Sequence, residues 1–115
     1  MSVLDIKTTK KVIHELYDAL HAHPDQSPYL LNITDVLSQV YMKLDIVDNP
    51  EAWLSRLVNY IYMEAFGRVH FSREEDNLLI ELGDLSKRSG LNGRNRANFN
   101  DKSQFYSLFE RMPRR

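Results

Sequence analysis

The chain has 115 residues, of which 43% are hydrophobic and 27% charged, with a net charge of −1. That length suits one domain with a real core, and the lack of cysteine excludes disulfides and thiolate chemistry, so packing must supply the stability. No run approaches the roughly 18 apolar residues of a membrane span, and Met1-Ser2-Val3-Leu4-Asp5 lacks the basic start and apolar run of a secretion signal, so a reducing cytoplasmic setting is expected.

The first amphipathic stretch predicts a helix over about residues 5–21, with Ile6, Thr9, Ile13, Leu16 and Leu20 on one side and Val12 and Tyr17 widening the stripe. Pro24 ends it, because proline restricts His23 and cannot continue the hydrogen-bond ladder. Ser27-Pro28 is a start signal, serine at the N-cap and proline at the first helical position. A second helix over about residues 28–46 carries Ile33, Leu37, Val40 and Leu44, flanked by Leu30, Val36 and Tyr41. Asn32 and Thr34 weaken its opening turns.

Asp48-Asn49-Pro50-Glu51 starts a third helix over about residues 50–66 in one of two ways. Asn49 caps with Pro50 behind it, or Asp48 caps with Glu51 three residues on. Leu54, Leu57, Ile61 and Ala65 form its stripe, broadened by Trp53, Val58, Tyr60 and Tyr62. So wide a stripe implies a central position or contact with the C-terminal segment. Gly67 suits the residue just past the helix end.

The fourth helix, over about residues 73–88, has both ends written in the sequence. Ser72 and Glu75 form a capping box, and Glu74, Glu75 and Asp76 meet the positive end of the helix dipole. Leu78, Leu82 and Leu85, reinforced by Leu79, make the stripe. Lys87 and Arg88 lie in the last turn before Gly90 and Leu91. Four such helices joined by short links predict an all-α, antiparallel up-down-up-down four-helix bundle within a single domain.

Beyond Leu91 the composition changes. Asn92-Gly93-Arg94-Asn95-Arg96-Ala97-Asn98-Phe99-Asn100 favours turns. Asp101 and Gln104 then resemble another capping box, ahead of Phe105, Leu108, Phe109 and Met112 at helical spacing. The segment 91–115 is therefore expected to be an ordered loop with a short extra helix over about residues 102–112. A helix that short is marginal alone and needs a surface to lie on: the bundle itself, a membrane or a partner. Charge divides along the same line. Lys87 to Arg115 holds eight basic residues against two acidic, and the chain before it seven against fourteen. A basic tail can face anionic lipid, an acidic protein surface or its own acidic body.

Signals for chemistry are weak. His21 and His23 point to different helix faces, no HExxH or calcium loop is present, and no serine sits in a nucleophile elbow beside a histidine. Gly90-Leu91-Asn92-Gly93 follows a helix without a GKS or GKT, which argues against a phosphate cradle. No enzyme activity, cofactor or metal is expected. Lys87, Arg88, Arg94 and Arg96 with Phe99 offer phosphate and stacking contacts, but the acidic body and the lack of a reading element argue against specific nucleic-acid binding. What composition and pattern leave is a binding or modulating protein.

Several stretches resemble the immunity proteins against pediocin-like (class IIa) bacteriocins, specifically the enterocin A immunity group. They are Val12-Ile13-His14-Glu15-Leu16-Tyr17, Val40-Tyr41-Met42-Lys43-Leu44, Arg56-Leu57-Val58-Asn59-Tyr60-Ile61-Tyr62 and Val69-His70-Phe71-Ser72. The most distinctive are Gly90-Leu91-Asn92-Gly93 through Arg96-Ala97, and Asp101-Lys102-Ser103-Gln104-Phe105. The resemblance implies a cytoplasmic four-helix bundle that protects its producer from the cognate bacteriocin. Its partners would be the membrane components of the mannose phosphotransferase system with bacteriocin bound, with peripheral contact to anionic lipid.

In that family the C-terminal half governs which bacteriocin is recognised. The residues expected to carry partner recognition are Lys87, Arg88, Asn92, Arg94, Arg96, Phe99, Lys102, Phe105 and Phe109. The arginines and lysines would make salt-sensitive contacts, and Asn92 with Gly93 would set the turn that aims them. Phe99 and Phe105 either touch the partner or fold back and position the basic residues. The competing function is a non-enzymatic adaptor or regulatory bundle that binds a soluble protein or nucleic acid through the same basic region.

Overall fold

Each helix begins where a side chain or a proline deals with its free amides. In the computed structural model, which describes residues 4–88, 102–106 and 113, α1 spans Ile6–His21. Asp5 caps it, accepting from the Thr8 amide at 3.1 Å and the Thr8 hydroxyl at 2.8 Å. Those two bonds, the amide first, hold the Asp5 carboxyl below its ordinary pKa. Helix α2 spans Pro28–Lys43, with the Ser27 hydroxyl accepting from the Leu30 amide at 3.2 Å.

Helix α3 spans Pro50–Ala65. Of the two schemes open to the sequence, the structure takes the placement of the first, Asn49 at the N-cap with Pro50 behind it, although the Asn49 side chain makes no capping bond. Pro50, which lacks an amide to satisfy, and Glu51 near the positive helix end serve instead. Helix α4 spans Arg73–Arg88 and starts with the full reciprocal box: the Ser72 amide donates to Glu75 Oε1 at 2.8 Å and the Glu75 amide to Ser72 Oγ at 3.2 Å.

The ends follow equally local chemistry. Helix α2 ends at Lys43, whose carbonyl is shared by the amides of Ile46 and Val47, at 3.0 Å each. After α3, Gly67 takes the left-handed conformation at φ 68°, and the amides of Arg68 and Val69 return to the Ala65 carbonyl.

Four helices of 16 residues, each about 24 Å long, close a ring in which α1 packs on α2 and α4 while α3 packs on the same two. This is an all-α four-helix bundle. Leu16, Leu20, Ile33, Leu37, Leu54, Leu57, Ile61 and Leu82 are sealed in its centre. The α4 stripe holds at Leu82 and Leu85 and shifts at its start: Leu79 is buried while Leu78 lies at the margin, so Glu75, Leu79, Leu82, Leu85 and Ser86 line the inner face. Among the described residues no helix is long and apolar enough to cross a membrane.

Candidate partner-binding site

The broad α3 stripe is explained by what packs on it. A 3-10 turn, Lys102–Phe105, lies against α2. It delivers Phe105 into the core with 0% exposure. The ring meets Trp53 and Tyr60 edge-on, with centroids 6.2 and 5.6 Å apart and planes at 65° and 78°. Those are favourable arrangements for aromatic quadrupoles. Phe105 is thus a core residue contributed from outside the bundle.

Polar contacts fix the same turn. Lys102 Nζ, on a side chain 11% exposed, donates to Asn32 Oδ1 at 2.9 Å, Asp35 Oδ2 at 3.0 Å and the Pro113 carbonyl at 2.9 Å. An ammonium has three protons to donate, so all are used. Asn32 passes the connection on, its Nδ2 donating to Glu64 Oε2 at 2.9 Å. Asn32 therefore serves as a cross-link between tail, α2 and α3. Lys43 Nζ donates to the Phe105 carbonyl at 3.1 Å and lies 5.6 Å above Trp53 and 6.0 Å from the Tyr106 ring centre. Arg56 also lies over the Trp53 ring, 5.5 Å from its centre, and its Nε donates to the Ala52 carbonyl. Partial burial pulls the Arg56 guanidinium below its usual pKa.

Of the residues expected to carry recognition, the structure brings Lys102 and Phe105 together on the α2–α3 side and leaves Lys87 exposed on α4. Arg88 is the last residue of α4. Its side chain, together with Asn92, Arg94, Arg96, Phe99 and Phe109, lies outside the described residues, as does most of the short helix expected over 102–112. Sequence reasoning missed Asn32, Asp35 and Lys43. They carry no local signal, since their contacts to the C-terminal turn span 62 to 70 residues. Tyr62, grouped by sequence with the core-flanking aromatics, is half exposed at 50%.

A second long-range contact holds the opposite side. His23, in the link after α1, meets Glu75 Oε2 at 2.6 Å, so one carboxylate both caps α4 and ties it to the α1–α2 link. His14 and Asp18 form an exposed pair at 3.6 Å. Among the described residues no three potential ligands come together to hold a metal.

The fold and this geometry define a helical bundle that holds a C-terminal turn against its α2–α3 side. The chain belongs to the bacteriocin immunity protein family, whose model matches residues 7–87. It is 48% identical over 99 residues to a protein of Leuconostoc gelidum described as "Probable leucocin-A immunity protein", covering 85% of this chain and 87% of that one. It is 42% identical over 106 residues to the "Probable mesentericin-Y105 immunity protein" of Leuconostoc mesenteroides, covering 91% and 93%. A match that long necessarily runs past Lys87 into the segment that holds Lys102. No solved structure matches the chain. The function is bacteriocin immunity of the class IIa type, and the role is not enzymatic.

Proposed function

We propose that the protein shields its producer by engaging the bacteriocin-bound mannose phosphotransferase permease from the cytoplasmic side, with the C-terminal segment as the recognising element. The observation that carries this reading is the double anchorage of that segment, an aromatic plug at Phe105 and a saturated ammonium at Lys102. Ordering a segment costs conformational entropy before binding begins, and a pre-anchored one has already met part of that cost. In this reading the helices run up-down-up-down and the whole chain acts as one domain, since Phe105 shares the core of the bundle.

Roles divide accordingly. Lys102 and Phe105 are anchors that face inward. Lys87, Arg88, Arg94 and Arg96 supply positive charge toward the receptor's cytoplasmic face or adjacent anionic lipid, and Asn92 shapes the turn that presents them. Phe99 and Phe109 supply apolar contact. Similarity to proteins named for leucocin-A and mesentericin-Y105 places those two bacteriocins first in a challenge panel.

The test is expression in a sensitive strain challenged with that panel. Arg94→Ala with Arg96→Ala is expected to lower protection at least about tenfold at unchanged protein abundance and melting temperature, the scale of an interface hot spot. Full protection by that double variant would refute the recognition role.

A further inference from the structure

The water-facing sides of the helices differ in kind. Exposed positions of α1 include Lys7, Lys11, Glu15 and Asp18, and those of α4 include Glu74, Asp76, Glu81, Asp84 and Lys87. Both are mainly charged, with Ile80 on α4 as a single exposed apolar residue. On α3, helical spacing places Ser55, Arg56, Asn59, Tyr62, Met63 and Phe66 along one strip directed away from Leu54, Leu57 and Ile61. Three of them are large and apolar: Tyr62 is 50% exposed, Met63 52% and Phe66 84%. The strip contains no carboxylate, and its one charge is Arg56.

Arg56 is unusual in a second respect. Cations that reach across the fold have acidic partners for their charged ends, as Lys10 meets Asp45 and Lys102 meets Asp35, and Arg68 has a local one in Glu64. Arg56 donates through Nε to a carbonyl of its own helix and stacks on Trp53, and among the described residues no carboxylate pairs with its guanidinium. A half-buried guanidinium held over an indole retains its forked donors for a planar acceptor. Arginine, tyrosine and methionine beside a tryptophan are also residue types enriched where proteins dock.

We infer that the outer strip of α3 is a second docking surface, which receives a helix of a partner protein that lays an apolar face on Tyr62, Met63 and Phe66 and sets a carboxylate against Arg56. Arg56 and Met63 stand seven residues apart, about 10 Å along the axis. The partner's acid therefore lies about two helical turns from its apolar contact. Charge complementarity selects the occupant. The strip offers one cation and no acid, which suits a single carboxylate. The chain ahead of Lys87 carries fourteen acidic against seven basic residues, an excess that opposes adsorption of this face to an anionic bilayer. The strip adjoins the anchorage of the C-terminal turn through Trp53, which meets Phe105 on one hand and Arg56 on the other, while Tyr62, Met63 and Phe66 lie away from Lys102 and its partners Asn32 and Asp35.

The test uses the full chain in bacteriocin-challenged cells, with the C-terminal segment untouched. In one arm, Met63→Ser with Phe66→Ser, and separately Arg56→Gln, are compared at equal abundance. Each is expected to lower protection at least about tenfold while the melting temperature of the exposed-residue double variant stays unchanged. In the second arm, Tyr62 is replaced by p-benzoylphenylalanine and irradiated. The expected product is a covalent adduct to one protein, mapped to an apolar helical peptide bearing Asp or Glu, and abolished by Arg56→Glu. Full protection by both variants overturns the proposal, as does an adduct that persists with Arg56→Glu. An adduct to lipid, an adduct to a second copy of this chain, or no adduct at all equally overturns it. Because Arg94 and Arg96 are intact throughout, failure here leaves the role of the C-terminal segment standing, and failure there leaves this one.

Discussion

The bundle is fastened on two sides by buried polar groups, and the two fastenings differ in what they hold. On the α1–α4 side, Glu75 closes a capping box with Ser72 and also meets His23 at 2.6 Å, so it fixes one element of the bundle to another. On the α2–α3 side, Lys102 bonds Asn32, Asp35 and the Pro113 carbonyl, and Phe105 fills a site between Trp53 and Tyr60. That second fastening attaches a segment the four-helix ring does not itself require. The first holds one element of the bundle to another, and the second holds the segment to which the proposed function assigns recognition.

The largest effect should come from the aromatic plug. Phe105→Ala removes a fully buried ring and should cost about 3 kcal/mol by urea unfolding, with the loss of area and the cavity both contributing. Protection should fall further than the folded fraction does. Lys102→Met comes next, at about 2 kcal/mol, because it strips three bonds from a nearly buried ammonium. It too should lower protection per folded molecule, and undiminished protection would dissolve the contrast between the two sides.

Glu75→Ala should cost about 1–2 kcal/mol through the lost cap and the lost His23 contact. Here survival under bacteriocin should track folded protein alone. Glu75→Gln should recover much of the stability, since glutamine serves a capping box. The smallest effect belongs to Asp5, whose carboxyl is held below its ordinary value of 3.8 by the Thr8 amide and then the Thr8 hydroxyl. A depressed folded value means the contribution is fully present above pH about 3.8 and fades as pH falls through the lowered value. Stability measured against pH should thus decline less steeply below pH 4 in Asp5→Ala than in the native chain.

These two fastenings also mark how far sequence reading reaches. Ser72-Arg73-Glu74-Glu75 specifies its capping box because the bonded groups are three residues apart, and Ser27-Pro28 specifies its helix start for the same reason. Leu54, Leu57 and Ile61 betray their burial by period. The His23 contact to Glu75 crosses 52 residues, and Lys102 reaches Asn32 across 70. No local pattern encodes either meeting. Asn32 looked like a flaw in a helix because its partners, Lys102 and Glu64, are visible only in the fold. The excess width of the α3 stripe, Trp53 and Tyr60 included, was a legible trace of the docked segment, although it could not say that Phe105 was the residue received. Tyr62 broke the same pattern: sharing the aromatic character of its neighbours, it sits on the far side of the helix and faces water.

If Phe105 tethers a segment that recognises the partner, losing it must cost protection beyond the loss of folded protein. Dose–survival curves for cells carrying Phe105→Ala and Glu75→Ala, each matched to the native chain for folded protein, address that directly. The curve for Phe105→Ala should shift at least about tenfold toward sensitivity while that for Glu75→Ala overlies the native one. Coincident curves for all three proteins would contradict it.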